Sequence, residues 1–402
     1  VKIIDLKTHL LTGLWDGDPG FPHCLHATAI IRIVTDSGED GLGEATLGYF
    51  TPELIPTLVE YYKPVLLGQN PMDIVRLERA MFDSSVWWGR QAAARSVQSA
   101  LEMALWDLKA KALGVPAYQL MGGAARDRIP VYASGGPSSW PIDRNLARIE
   151  LFAEKGFRTV KLATHFYELD KVPASKFQGR LKVVHLPHAE KIRRIEENFA
   201  SLRKTFGSEI DFAIDGHEGG VASPIRVTEA IEIAECLREH RLVFYEEPLA
   251  YTDLDGYIEL RRRSVLPIAG GESLSGMDQF HPFIARQGVH LIQPDVGFVG
   301  GISEATRIIH AAEAWNIRTA FHCGGSVGPC LAASWHMAAA IQSVDYVEMV
   351  IASSAIRDDV MIDRMVVQNG SVGLPTAPGL GVHLPPELLE KYAFVPNSGE
   401  RT

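Results

Sequence analysis

Hydrophobic positions change period more than once along this chain. Up to about residue 50 they alternate as strands do. KIIDLKTHLL is followed by a loop over 15–26 rich in Gly, Pro, Asp and His, then by HATAIIRIVTD and a glycine-rich turn, SGEDGLGEA. From 52 to 114 the period becomes helical. In SVQSALEMALWDLKAKALG, Val97, Leu101, Ala104, Leu105 and Leu108 share one face, and Gly114 with Pro116 ends the run. An α+β domain over residues 1–128 is predicted.

After Gly122 and Gly123 the pattern repeats. IPVYA, FRTVKL, IDFAID, RLVFYE, LPIAGGE, VHLIQPD, IRTAFH and VDYVEM are short apolar segments, separated by helical stretches such as VTEAIEIAECLREH and GISEATRIIHAAEAWN. Asp215, Glu246, Glu272, Asp295, His322 and Glu348 end six successive segments, at separations of 31, 26, 23, 27 and 26 residues. A strand, a loop and a returning helix need about that length, so successive strands lie parallel, and eight of them predict a closed β/α barrel over 129–355. Lys161 and Asp215 are 54 residues apart. HFYELDKVPASKFQGRLKVVHLPH reads as an insertion there, placed to shape an active site or an oligomer contact. Residues 356–402 leave the barrel pattern. VVQNGSVGLPTAPGLGV reads as turns and a short hairpin that packs back on the N-terminal domain.

Composition narrows the class. The 402 residues are 46% hydrophobic and 22% charged, which is globular and long enough for a barrel with an added domain. Cys24, Cys236, Cys323 and Cys330 have no C-x-x-C spacing and are too few to staple such a chain. The net charge of −10 argues against nucleic acid as a partner, and the run Arg261, Arg262, Arg263 reads as a solvated face. No apolar run reaches the ~18 residues of a membrane span. VKIIDLKTH alternates like a strand rather than a signal peptide, so a cytoplasmic enzyme is expected.

The candidate chemistry lies at the strand ends, because in a parallel sheet all C-terminal ends face one crevice. Asp215, Glu246 and Glu272 then surround one point. Three crowded carboxylates raise one another's pKa, and a divalent cation resolves the conflict; hard oxygen ligands suit Mg²⁺. Glu247 points to the face opposite Glu246, as strand neighbours do, and reads as a supporting residue, an ion-pair partner or a substrate contact. Asp295 can fix the tautomer of His322 and raise its proton affinity. His217, two residues past Asp215, can reach the same cavity. Lys161 can take an α-proton or hold a carboxylate, and Glu348 can hold a substrate oxygen. Trp15 and His23, in the loop over 15–26, are candidate lid residues. Metal, carboxylates and flanking bases together point to proton abstraction beside a carboxylate, ending either in loss of water or in racemisation.

This ordered set resembles the enolase superfamily, in its mandelate racemase-like branch. TDSGEDGLGEA, SALEMALWDLKAKALGVPAYQLMGG, DGH, YEEP, GGES, QPD and FHCGG carry the likeness over nearly the whole chain. The resemblance implies a modified TIM barrel, (β/α)₇β, with an α+β capping domain completed by the C-terminal segment. It implies Mg²⁺ on Asp215, Glu246 and Glu272, a dyad of His322 and Asp295, and a homo-oligomer (dimer to octamer). The branch's Lys-x-Lys is here Lys161-Leu162-Ala163, without the second lysine. The pattern is instead similar to acid-sugar dehydratases of the galactonate type, which place a histidine at the position of His217. By that likeness His217 takes the α-proton and His322 assists loss of the β-hydroxyl, or the two exchange roles, while Lys161 contacts the substrate carboxylate. The expected activity is dehydration of an aldonate or aldarate to a 2-keto-3-deoxy acid. A 2-hydroxy-acid racemase or epimerase and a non-catalytic barrel that binds small molecules are the alternatives.

Overall fold

The computed structural model describes residues 1–16, 24–137, 142–164, 186–219, 225–350 and 353–399. Three N-terminal strands, β1 (Ile3–Asp16), β2 (Cys24–Thr35) and β3 (Asp40–Ala45), form an antiparallel sheet. The β1–β2 ladder runs on through Leu14–Leu25 to Trp15–Cys24, so both ends of the expected loop are strand. The glycine-rich stretch expected as a turn is largely strand β3. Its glycines serve packing: a Cβ at Gly43 would strike the carbonyl oxygen of Ala100, and one at Gly41 that of Ala104. Helix α3 (Ala92–Ala112) therefore lies directly on the sheet, beside α1 (Ile55–Leu66) and α2 (Ile74–Ser84). Val97, Leu101, Ala104, Leu105 and Leu108 are all fully buried on the expected face. Gly114 follows with a φ of +69°, the left-handed conformation that ends a helix at low cost.

Eight parallel strands form the second sheet: β4 (Ile129–Pro137), β5 (Thr159–Ala163), β6 (Asp211–Asp215), β7 (Tyr245–Glu246), β8 (Ile268–Gly270), β9 (Leu291–Ile292), β10 (Arg318–Phe321) and β11 (Val344–Val350). The sheet closes where β11 pairs with β4, from Val347–Val131 to Val350–Ser134. It is a modified TIM barrel with the α+β sheet as its N-terminal cap. Among the described residues the last barrel strand is followed by the short helix Ala355–Val360.

Alternation divides each strand's side chains between two cores. Outward residues such as Val160, Phe212, Ile214, Phe321 and Val347 pack under the surrounding helices. Inward residues Tyr132, Ala213, Phe244, Ala269, Leu291 and Ala320 form a small apolar plug inside the barrel. One period beyond this plug the inward positions are Asp215, Glu246, Gln293, His322 and Glu348. The polar site is thus the next layer of the same packing.

The C-terminal segment touches both parts of the molecule. Ser371 and Val372 pair antiparallel with Pro130 and Ile129 of β4, after a tight turn at Asn369 and Gly370. Further on, the Val395 N–H donates to the Thr12 hydroxyl and the Asn397 N–H to Glu53. The insertion expected over 165–188 lies, up to residue 185, outside the described residues, as does His23. Of Trp15 only the backbone is described.

Candidate active site

Asp215 and Glu246 end β6 and β7 directly, and Glu272 follows β8. Gly271, with a φ of +128°, turns the chain between β8 and Glu272. Ligand-capable oxygens of the three carboxylates lie within 4.8 Å of one another, a group found once among the described residues. Asp215 and Glu246 are 1% and 0% exposed. One oxygen of Glu246, Oε2, is buried with no hydrogen-bond partner. Burial and the neighbouring Asp215 push the Glu246 carboxyl well above its usual range, and burial with Glu247 pushes Glu272 up to about 6. An uncompensated oxygen among converging carboxylates is the donor set of a divalent-cation site, and these residues fit one.

Lys161 points into the same layer from β5. Its Nζ is 2.7 Å from Glu246 Oε1, 3.0 Å from Asp215 Oδ2 and 3.0 Å from Glu348 Oε1, and it lies over the Tyr132 ring at 5.5 Å. Burial works against the ammonium, but the three carboxylates outweigh it and hold the lysine charged. Burial likewise raises Glu348, yet Lys161 and His322 together bring it down to about 2.

His217 has a φ of +49°, a left-handed value unusual for a residue with a side chain. Its N–H donates to Asp215 Oδ1 at 2.9 Å, while its ring Nε2 lies 3.0 Å from Asp215 Oδ2. The folded-back conformation keeps the imidazole at the mouth, with 45% of its side chain exposed. Desolvation lowers its proton affinity, but Asp215 more than reverses this and lifts the pKa to about 9.

Across the barrel, His322 Nδ1–H donates to Asp295 Oδ2 at 2.8 Å. That bond fixes the tautomer and turns Nε2 toward Glu272, 3.5 Å away. Burial opposes protonation of His322; Glu272 and Asp295 overcome it, so its pKa stands well above that of a free imidazole. The other oxygen of Asp295 accepts from the Gly297 N–H at 2.8 Å and from the Thr46 hydroxyl at 2.9 Å.

The fold thus brings Asp215, Glu246, Glu272, Lys161, Glu348, His217, His322 and Asp295 to one end of the barrel. Glu247 lies beside this cluster, near enough to Glu272 to raise its carboxyl, and accepts from the Ser273 hydroxyl at 2.9 Å. Its φ is +36°, not the extended value expected before Pro248. Hydrogen bonds from its N–H to the Ala269 carbonyl and from the Glu218 N–H to its own carbonyl pin it there. Burial and Asp215 raise its carboxyl to about 7. Three residues at the site were missed in the sequence: Thr46, Tyr132 and Gln293. Alternation back from Ser134 and Asp295 would have placed Tyr132 and Gln293 inside the barrel; Thr46 has no such signal.

Comparison with known proteins agrees with this architecture. A model of the enolase C-terminal domain-like family matches residues 145–388. A model of the mandelate racemase/muconate lactonizing enzyme N-terminal domain matches residues 25–122. A D-galactonate dehydratase of Xanthomonas campestris pv. campestris (strain B100) is 28% identical over 377 residues, covering 92% of each chain. A D-gluconate dehydratase of Thermoproteus tenax is 29% identical over 374 residues, covering 92% of this chain and 70% of that protein. Among solved structures, the 3,6-anhydro-D-galactonate cycloisomerase of Zobellia galactanivorans superposes with a TM-score of 0.81 at 25% identity, covering 98% of this chain and 99% of that one. A member of the enolase superfamily from Polaromonas sp. JS666 gives 0.83 at 27% identity over 100% of both chains. By these matches the chain belongs to the enolase superfamily, in its mandelate racemase/muconate lactonizing enzyme branch.

Proposed function

We propose that this protein is a Mg²⁺-dependent hydro-lyase that converts an acid sugar, an aldonate or aldarate, into a 2-keto-3-deoxy acid and water. The observation that carries the reading is the placement of the two histidines. His217 follows β6 and His322 follows β10, four strands apart in a closed ring of eight. A substrate held between them meets one imidazole on each face. That suits removal of the α-proton from one side and departure of the β-hydroxyl on the other.

Asp215, Glu246 and Glu272 would hold the cation, which when bound supplies positive charge that lowers the cost of deprotonating carbon beside a carboxylate. Lys161 adds a fixed ammonium beside them and suits the substrate carboxylate. His217 accepts the α-proton at Nε2 in its neutral form, which it takes once Asp215 is engaged in holding the cation and no longer lifts the ring's pKa to about 9. His322, kept protonated by Asp295, delivers its Nε2 proton to the departing hydroxyl, which leaves as water. The resulting enol becomes the 2-keto acid. Glu348, Glu247, Trp15 and His23 are assigned to substrate contacts.

The sugar-acid class is supported by the dehydratases among the relatives. Loss of the second lysine at Ala163 removes a base that two-sided racemisation would use. We further assign residues 1–128 and 356–402 to the cap and 129–355 to the barrel, in a homo-oligomer of two to eight chains.

A panel of diastereomeric aldonates and aldarates with Mg²⁺, assayed for 2-keto products, tests the reaction. His217→Asn should nearly abolish both turnover and exchange of the α-hydrogen in deuterated water, a loss of ~10²-fold or more. Retained exchange rejects His217 as the base. Exchange by the unaltered protein with no keto product favours racemisation, and no reaction with any acid favours a binding barrel.

A further inference from the structure

We infer that Thr46, a residue of the cap, is a positioning residue for the His322–Asp295 pair, acting through the outer oxygen of Asp295. This inference rests on the role given to His322 above.

Asp295 can aim the imidazole only if its own carboxylate plane is fixed. Oδ2 is engaged with His322 Nδ1 at 2.8 Å. Oδ1 receives the Gly297 N–H, which comes from the adjoining turn, and the Thr46 hydroxyl, which comes from 249 positions away in the sequence. The Cys330 thiol, 3.6 Å from Oδ1, is a much weaker donor. Thr46 is thus the strong side-chain donor that ties this carboxylate to the cap.

Thr46 is itself held by a closed circuit. The next residue, Leu47, donates its N–H to Ser96 Oγ at 3.1 Å. The Ser96 hydroxyl in turn donates to the Gly297 carbonyl at 2.9 Å. The circuit therefore returns to the residue that shares Asp295 Oδ1. Gly297 is a glycine for the same reason: a Cβ there would collide with Thr46 Oγ1. The two backbones approach closely enough for the hydroxyl to reach the carboxylate, and a side chain at 297 would wedge them apart.

Without the hydroxyl, Asp295 keeps one good donor on Oδ1 and gains freedom to turn about its last torsion. His322 then loses a fixed orientation. Groups that orient a reacting imidazole at one remove typically affect activity by about 10- to 100-fold. The effect should fall on kcat, because the Thr46 hydroxyl is engaged with Asp295 Oδ1 and acts on the imidazole rather than on bound substrate.

The test compares Thr46→Val, which keeps the shape and deletes the donor, with Thr46→Ser, which restores it. Thr46→Val should lose about 10- to 100-fold in kcat, with KM changed less than about twofold. Thr46→Ser should recover most of the loss. Equal losses in both variants, or a loss confined to KM, would overturn the assignment. An independent reading needs no substrate: the Nδ1–H resonance of His322 in protein labelled with ¹⁵N-histidine. The signal should move in Thr46→Val and stay near its original position in Thr46→Ser. An unmoved signal in Thr46→Val sinks the inference, even if the acid-sugar panel finds a substrate. If the panel finds none, the resonance alone decides the role of Thr46, so the two failures are separable.

Discussion

Ala213, Phe244 and Ala320 fill the barrel, and two residues further along the same strands stand Asp215, Glu246 and His322. Glu246 carries the sharpest consequence. It is buried, its Oε2 has no partner, and burial together with Asp215 disfavours its charge. In the cation-free protein this carboxylate is a cost that binding of a cation relieves. Glu246→Gln should therefore leave the melting temperature of chelated protein unchanged or higher. It should also abolish the rise that Mg²⁺ gives the unaltered chain, worth about 2.7 kcal/mol at a hundredfold excess over Kd. Thermal melts with EDTA and with Mg²⁺ check both parts. A Mg²⁺-induced rise that survives in the variant would remove Glu246 from the cation site. Strand-end residues such as these were legible because a parallel sheet gathers its C-terminal ends whatever the details of packing. The setting of Lys161 was not. Its contact with Glu348 requires β11 to lie beside β4 and β4 beside β5, and that neighbourhood exists only once the barrel closes.

Among the elements, the helix period of α3 was plain because one face is continuously apolar. Strand β3 was read as a turn because its glycines signal turns locally, whereas here they admit a helix backbone, a partner about sixty residues away in sequence. The helix Pro329–Ala340 shows a different limit. It is apolar all round, so its period marks no face, yet it buries His336 completely. His336 Nδ1 accepts the Tyr118 N–H of the short helix Ala117–Leu120 at 3.1 Å, and burial presses its pKa down to about 4. The folded pKa lies below the unfolded value of about 6.5, so protons favour the unfolded chain. The contact's full contribution is present above pH ~6.5 and is lost as pH falls through 4; the whole span is about 3 kcal/mol. In His336→Asn, the side-chain oxygen can take the same N–H without titrating. Its melting temperature should gain on the unaltered chain as the pH is lowered from 6.5 to 4. Parallel curves over that range would show that His336 does not contribute to acid sensitivity.

At the scale of the molecule, cap and barrel share their polar interiors. Among the barrel helices that begin without a side-chain cap of their own are Ile302–Glu313 after Gly301 and Pro329–Ala340 after Gly328. Carboxylates of the N-terminal domain supply the missing acceptors. Glu44 takes the N–H groups of Val327, Gly328 and Cys330. Glu102 takes those of Ile302 and Ser303, the Ser303 hydroxyl and the Trp106 indole N–H. A helix N-terminus is a partial positive charge with unsatisfied donors, so a buried carboxylate there answers both needs. Glu102→Ala would leave three donors without an acceptor, the Trp106 indole keeping Ser303 Oγ at 3.2 Å; each orphaned donor costs about 1–3 kcal/mol, one carboxyl is spared its burial, and the net loss should be about 3 kcal/mol. Where that loss is felt tests how the chain is built. If cap and barrel unfold together, calorimetry of the variant shows one endotherm moved bodily to lower temperature. If they are separate units merely in contact, the endotherm splits, because removing Glu102 weakens the junction more than either side. A single shifted transition is expected, since the atoms Glu102 holds lie inside both parts at once.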